Sequence, residues 1–435
     1  MKGTGFIRIA LIFLIILSLF LTWAIWTMPS QYDEQTNNDQ KKTSSVTISR
    51  QLSHVFGPSQ IVLHEAGMDK ITTNRAILST FSKFFMVDWQ MENLEDPLEI
   101  SNENYQNSLS QSDKIELIYL ENIPFGMMSD KFANLPGEYQ NRTFDRVYLS
   151  ISEPDRIYFY NTDSDLLYSS SLEGVDQEKL MAALRKEEAA YQSVMTVKAK
   201  NNNIYLPIAP FELPYLTYMV ERQPNSLFIE RLFDDTSEVK ETRSENSVQY
   251  IDYISKMFVN EDTNILSYYR NRASDKKMPL TETLRDSFTE LMLYENWSDE
   301  IHFFDYNSQS NVVTYRRYID GYPVFGTTDY GATHITIVEN GMSELQVPLM
   351  VAQTPISDED NQKELLNGEE LLLHLAEQDY AIEEIEDIQL GYTWSNSSES
   401  SRVISLEPDW YIYVNGSWLN SRDLHQDGGD ESSGL

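Results

Sequence analysis

The chain contains no cysteine, and basic side chains are scarce: 33 Lys and Arg stand against 68 Asp and Glu in 435 residues, a formal net charge of −35. The first absence excludes disulfides, thiolate metal sites, iron–sulfur ligation, a thiol nucleophile and a cysteine-borne lipid anchor. The second excludes a protein that holds nucleic acid by net charge. Histidine is also sparse. None of His54, His64, His302, His334, His374 and His425 lies three to five residues from another, and H-E-x-x-H, G-x-S-x-G, Walker A and G-x-G-x-x-G are all missing. What is present is ample apolar (41%) and aromatic (12%) content, enough for packed cores. The length fits about three domains at roughly 150 residues each.

One hydrophobic run has membrane length. From Ile9 to Met28 no side chain is charged (IALIFLIILSLFLTWAIWTM), and a helix of this length rises about 30 Å, the thickness of a hydrocarbon core. Lys2 and Arg8 precede it, and the first acids after it are Asp33 and Glu34. The positive-inside rule then puts residues 1–8 in the cytoplasm and the bulk outside, with Trp23 and Trp26 at the outer headgroups. A cleaved signal peptide would have a shorter apolar core and an A-x-A-like site. Here Thr22 and Ala24 are flanked by Trp23, Ile25 and Trp26, so an uncleaved anchor over 9–28 is the expectation. The remaining residues, 29–435, carry 31 basic and 68 acidic side chains, a charge of −37. An unstapled acidic body outside the membrane suits the surface of a Gram-positive cell.

Residues 29–45 are polar and aperiodic, a flexible linker, and 425–435 (HQDGGDESSGL) read as a disordered tail. Between them the pattern is α+β. In a first domain, 46–200, Asn74 should cap a helix carrying Ile77, Leu78, Phe81, Phe84 and Phe85. Residues 114–120, 146–151 and 156–160 alternate like strands, and 176–192 reads as a long helix capped by Asp176. The proline cluster LPIAPFELP (206–214) is an extended connector and marks a boundary.

A middle domain, 201–355, opens with strand-like runs at 226–233, 247–252, 255–260 and 264–271. A helix at 281–297 follows, with Thr281 as its cap and Leu284, Phe288, Leu291 and Met292 on one face. Further strands turn at Asp320-Gly321 and Asn340-Gly341. The same grammar recurs in a C-terminal domain, 356–424: a helix at 367–378, then strands turning at 396–401 and Asn415-Gly416. Each of the last two units is one helix on an antiparallel sheet.

Catalytic chemistry leaves little trace. Asp163 and Asp165 in NTDSD resemble the start of a calcium loop but lack its Gly and distant Glu, so a plain turn is expected. His302 and His334 belong to sheet faces and His374 to an apolar helix face. In TYRRYIDGYPVFG (314–326) Arg316 and Arg317 are adjacent cations in an acidic chain. On a strand they face opposite ways, one pairing with a local acid. The functional alternative is a partner-docking point at Arg316, Arg317 and Tyr318. In the apolar helix, Ser18 and Thr22 share a face, where small hydroxyl residues admit a second helix. Both can instead bond their own helix carbonyls.

Several segments in order carry a resemblance. LSLFLTWAIWTMPSQYDE (17–34), SKMFVNEDTNILSYYR (255–270), YRRYIDGYPVFG (315–326) and SLEPDWYIYVNGSW (405–418) resemble the YycH (WalH) family. The last two are also similar to stretches of the companion YycI, and the last to PepSY-type modules.

The resemblance implies one membrane helix, three extracytoplasmic α+β domains and a role as a non-enzymatic regulator. The implied partners are the essential cell-wall sensor kinase WalK (YycG) and a YycI-like protein, met largely through membrane helices. It points to Ser18, Leu19, Thr22, Trp23 and Trp26 as the contact face. It implies no catalytic residue, metal, cofactor or nucleic acid, and carries no sign of regulation. Two rival readings remain. A wall-polymer hydrolase would need a cleft with convergent, pKa-perturbed acids. A PepSY-like ligand-binding or protease-inhibiting module would bind peptide or glycan without the membrane helix.

Overall fold

The computed structural model describes residues 52–424 except 66, 111–112, 186–189, 273–276, 296–299, 327, 357–360, 397–399 and 401. All of these fall in one structural unit, residues 49–435. The architecture is mixed α+β. Helices α1 (Arg75–Lys83), α2 (Asn102–Leu109), α3 (Gln177–Arg185), α4 (Asn225–Leu232), α5 (Leu280–Tyr294) and α6 (Gly368–Glu377) lie against two large sheets and a two-stranded ribbon.

The first sheet has ten strands and every pairing in it is antiparallel. Its centre is Lys114–Pro124, paired with Gln60–His64 on one side and Thr143–Ser150 on the other. Alternation along KIELIYL sends Ile115, Leu117 and Tyr119 into a large aromatic core and Glu116 and Ile118 to the opposite face. Asn74 caps α1 as expected, its side chain accepting from the amides of Ala76 and Ile77. Phe84 and Phe85 continue as a π-turn, Phe84–Asp88, and Phe84 stacks on Trp89. Asp176 caps α3 through the Lys179 amide, but α3 is shorter than the sequence suggests: Gln192 already begins a strand, Gln192–Lys198.

The proline-rich segment is extended, as its prolines require, and forms two strands. Asn203–Pro207 joins the edge of the first sheet, and Phe211–Pro214 pairs with Gln362–Leu365. Residues 226–233 depart from expectation. They form α4, entered through Pro224, with Phe228 and Leu232 buried four residues apart. That spacing and the proline outweigh the local alternation.

The second sheet has fourteen strands. Helix α5 covers one face through Leu284, Phe288 and Leu291, each buried side chain contributing about 1.5–3 kcal/mol. Its start is not capped by Thr281. Pro279 holds the cap position, and Asn141 Oδ1 of the first sheet region accepts the Thr281 amide at 3.0 Å. Met292 is exposed rather than on the packed face. The tight turns at Asp320-Gly321 and Asn415-Gly416 form with both residues at positive φ, the geometry of a type I′ hairpin. Helix α6 starts in a capping box of Asn367 and Glu370 and packs Leu371 and Leu375 on Ile388, Trp410 and Ile412.

Strand pairing does not follow linear segments. Leu216–Arg222 lies between Val403–Val414 and Met350–Ile356 and completes the sheet under the last hairpins. Tyr322–Phe325 joins the two halves by pairing parallel to Asp387–Asn396. The aromatic core is continuous too, since Phe56 packs against Phe288, Phe303 and Tyr315.

Candidate functional site

Where the first sheet meets the strands around Asp305 and Asp387, the fold leaves a polar cavity of about 280 Å³. Lys114–Pro124 brings Glu121 to it, Glu300–Asn307 brings Asp305, and the strand following Glu386 brings Asp387. Asp145 and Asp163 complete six carboxylates on its wall, with Tyr413 and Trp418 beside them. Arg146 is the guanidinium among its lining residues.

The carboxylates differ in how they are satisfied. Asp145 is bonded by Arg146 Nη1 at 2.7 Å and by the amide and hydroxyl of Thr162. Glu386 pairs with Lys200 at 2.7 Å, Asp387 accepts from the Gln389 side chain and the Ile388 amide, and Asp163 accepts from Asn122. Glu121 is met by Asn122, whose amide donates to it at 2.8 Å. Neither Glu121 nor Asp305 has a cation within salt-bridge reach among the described residues. Burial, reinforced by Asp305 and Asp163, pushes the Glu121 carboxyl up to about 7. Burial also raises Asp305 and Asp387. The Tyr413 hydroxyl, which lines the cavity with Asp305, Glu386 and Glu121, is pushed up to about 12 by burial and by the charges of those three.

Directly behind the wall lies a buried charge network that sequence reading missed. Glu116, with no exposed surface, accepts from the hydroxyls of Tyr105 and Tyr205, each at 2.7 Å, and sits 3.0 Å from His64 Nε2. His64 Nδ1 lies 3.1 Å from Asp69. Burial opposes charge on His64, but hydrogen bonds and charge from Asp69 and Glu116 prevail and raise it to about 9. Burial likewise opposes the Glu116 carboxylate, and the bond and charge of His64, then Arg146 and Tyr205, hold it below its ordinary range. The one available signal was Glu116 itself, an acid within an apolar strand run; its partners come from four other segments.

The candidate docking residues lie inside the fold. Arg317 is completely buried: Nη2 bonds Glu295 at 2.8 Å and Nη1 bonds the Met350 carbonyl at 2.8 Å. Arg316 points the other way, its guanidinium between the rings of Phe304 and Phe325 at 4.4 and 4.5 Å, with Nη1 on the Val324 carbonyl. Tyr318 is buried in an aromatic cluster with Phe304, Phe325 and Tyr411. The expected opposite facing holds, with one Arg paired to an acid. The three offer no surface to a partner, because strand Val312–Ile319 is covered on both faces.

His334 bonds Asp329 and Thr314, and His374 bonds the Ser421 carbonyl. NTDSD is a turn, organised by Asn161 Oδ1 accepting from Ser164. Among the described residues no group of three or more His, Asp or Glu is placed to hold a metal ion, and no helix is long and apolar enough to cross a membrane. Ser18, Leu19, Thr22, Trp23 and Trp26, with the run 9–28, lie outside the described residues.

Two family models match: the YycH protein N-terminal domain over residues 4–189 and the YycH protein C-terminal domain over residues 201–428. The chain belongs to the YycH family. A YycH-family relative from Bacillus subtilis (strain 168), described as "Two-component system WalR/WalK regulatory protein YycH", is 23% identical over 444 residues, covering 96% of each chain. The crystal structure of YycH from Bacillus subtilis matches with a TM-score of 0.71 and 20% identity, covering 85% of this chain and 96% of that one. The YycH fold thus accounts for the mixed α+β architecture described above.

Proposed function

We propose that this chain is a non-enzymatic regulator of the sensor histidine kinase in a WalR/WalK-type two-component system. The observation that carries the reading is end-to-end similarity to a protein described as regulating that system, over 96% of both chains. The two family models add that both halves of the chain are retained. The cavity does meet the cleft criterion for a hydrolase, with convergent carboxylates raised by burial. The family is one of regulatory proteins rather than enzymes, and that decides against the hydrolase.

In this reading residues 9–28 span the membrane with the N-terminus inside, and the acidic body stands on the outer face. The helix meets the kinase and a YycI-like companion through Ser18, Leu19, Thr22, Trp23 and Trp26. A membrane helix shifts a kinase by binding one signalling state better than the other, and 1–3 kcal/mol of such preference gives a roughly 5–150-fold effect. Small hydroxyl residues allow the close approach this needs, and interfacial tryptophans set its depth.

The test replaces residues 9–28 with a polyleucine helix of equal length in the full chain and reads kinase-dependent transcription and co-purification of the kinase. Loss of both, at unchanged protein level, is the expected result. Regulation and complex formation surviving the swap would overturn the membrane-helix mechanism.

A further inference from the structure

In the middle of the second sheet, Met257, Val259, Leu266, Leu345, Val347 and Ile335 enter the core beneath α5, so the residues between them face the other way. Strand pairing sets those residues in rows. Lys256 lies beside Tyr269, Tyr269 beside Glu344, and Glu344 beside Thr336. One step along, Phe258 lies beside Ser267, Ser267 beside Gln346, and Gln346 beside His334. Two open basins of about 680 and 550 Å³ lie on these rows and share Phe258, Ser267 and Gln346. Both volumes fall in the range of small-molecule sites, about 300–1,000 Å³.

Two rings stand out of this face: Tyr269 is 47% and Phe258 39% exposed. Hydroxyls (Ser267, Thr336) and an amide (Gln346) line the basins with them, and Lys256 and Glu344 flank Tyr269. Charge and size narrow the occupant. Residues 29–435 carry −37, yet here one cation stands against one anion, so a polyelectrolyte of either sign meets no surplus of counter-charge. The four strands are each paired on both sides, which leaves no backbone edge for an extended peptide. Two rings are too few anchors for an amphipathic helix. The rows cover about 14 Å by 14 Å, roughly 200 Å², against the ~800 Å² per partner that a stable dimer buries. A sugar chain meets all three conditions. The apolar C–H face of a pyranose lies flat on an aromatic ring, and its hydroxyls exchange hydrogen bonds with amide, hydroxyl and carboxylate groups around it.

We propose that this open sheet face is a binding site for a neutral oligosaccharide. Tyr269 and Phe258 are its stacking platforms, and Ser267, Gln346 and Glu344 exchange hydrogen bonds with its hydroxyls. The site is separate from the acidic cavity, and its occupancy is independent of the kinase reading.

The test is calorimetric titration of the full-length protein in micelles of a sugar-free detergent, with chitotetraose, cellotetraose, tetra-alanine and lysyl-lysine as separate probes. Saturable binding of chitotetraose or cellotetraose at submillimolar concentration is expected, with affinity changing less than twofold between about 50 and 500 mM salt. Tyr269→Ala and Phe258→Ala should each weaken it at least tenfold without lowering the melting temperature, since both side chains are exposed. Ser267→Trp fills the floor shared by the two basins, so it should abolish binding, and it replaces either alanine variant that fails to fold. No saturable binding of either sugar would overturn the proposal. So would tighter binding of either peptide, a stronger salt dependence, affinity unchanged in the folded variants, or a concentration-dependent dimer that Ser267→Trp abolishes.

Discussion

His64 Nε2 lies 3.0 Å from Glu116 Oε2 across two neighbouring strands, and both side chains are cut off from solvent. A histidine in this position is a cation at neutral pH and part of the fold's electrostatic balance. Its folded pKa, about 9, stands above the unfolded value of about 6.5. The stabilisation is therefore complete below pH 6.5 and is lost as pH rises through 9. Urea denaturation at pH 6 and pH 9.5 should show a loss on the order of 3 kcal/mol, and His64→Gln should flatten the slope in that window.

Arg316 and Arg317 are neighbours with opposite dependence on charge. Removing Arg317 strands the buried Glu295 carboxylate, so Arg317→Met should cost about 3–5 kcal/mol. Arg316 faces two aromatic rings and a carbonyl, with burial holding its pKa below the usual value. Arg316→Met keeps the packing and removes a desolvated cation, so its stability should stay within about 1 kcal/mol of the parent. Thermal melts of the two variants, side by side, check the contrast.

Gly321 and Gly416 occupy the same place in two similar turns, at φ +84° and +78°. A methyl group at Gly321 would sit 2.4 Å from the carbonyl of Thr73, just past strand Asp69–Thr72, whereas at Gly416 it meets nothing within 4 Å. Gly416→Ala should cost about 1 kcal/mol, the left-handed backbone cost alone. Gly321→Ala should cost about 2 kcal/mol more, since the hairpin must move off Thr73. Denaturation midpoints distinguish them.

Asn141 caps a helix that begins 139 residues later. Asn141→Ala should destabilise by about 1 kcal/mol. In hydrogen exchange the extra opening should appear at the first turn of α5, around Thr281, rather than near residue 141.

Local chemistry was readable in advance. Asn74 and Asp176 announced their helices, Asp320-Gly321 and Asn415-Gly416 their hairpins, and period-two alternation most strands. Residues 226–233 misled because so short a stretch shows local alternation as well as the four-residue spacing of Phe228 and Leu232, and Pro224 upstream tips it to the helix. Thr281 misled because its helix is capped from another segment. The cavity was illegible for the same reason. Glu121, Asp305 and Asp387 are ordinary acids in a chain with 68 of them, and only the pairing of distant strands makes them neighbours.

The placement of Leu216–Arg222 sets an order of assembly. Thr217 pairs with Ser405 on one side and Ile356 on the other, so this strand must wait some 190 residues for one of its neighbours. Until the last hairpin arrives, a nascent chain holds an open strand edge in its middle. A product broken off before residue 403 therefore keeps that edge permanently, inviting proteolysis or self-association. Synthesis of Val403–Val414 closes the edge that Leu216–Arg222 has left open since it was made.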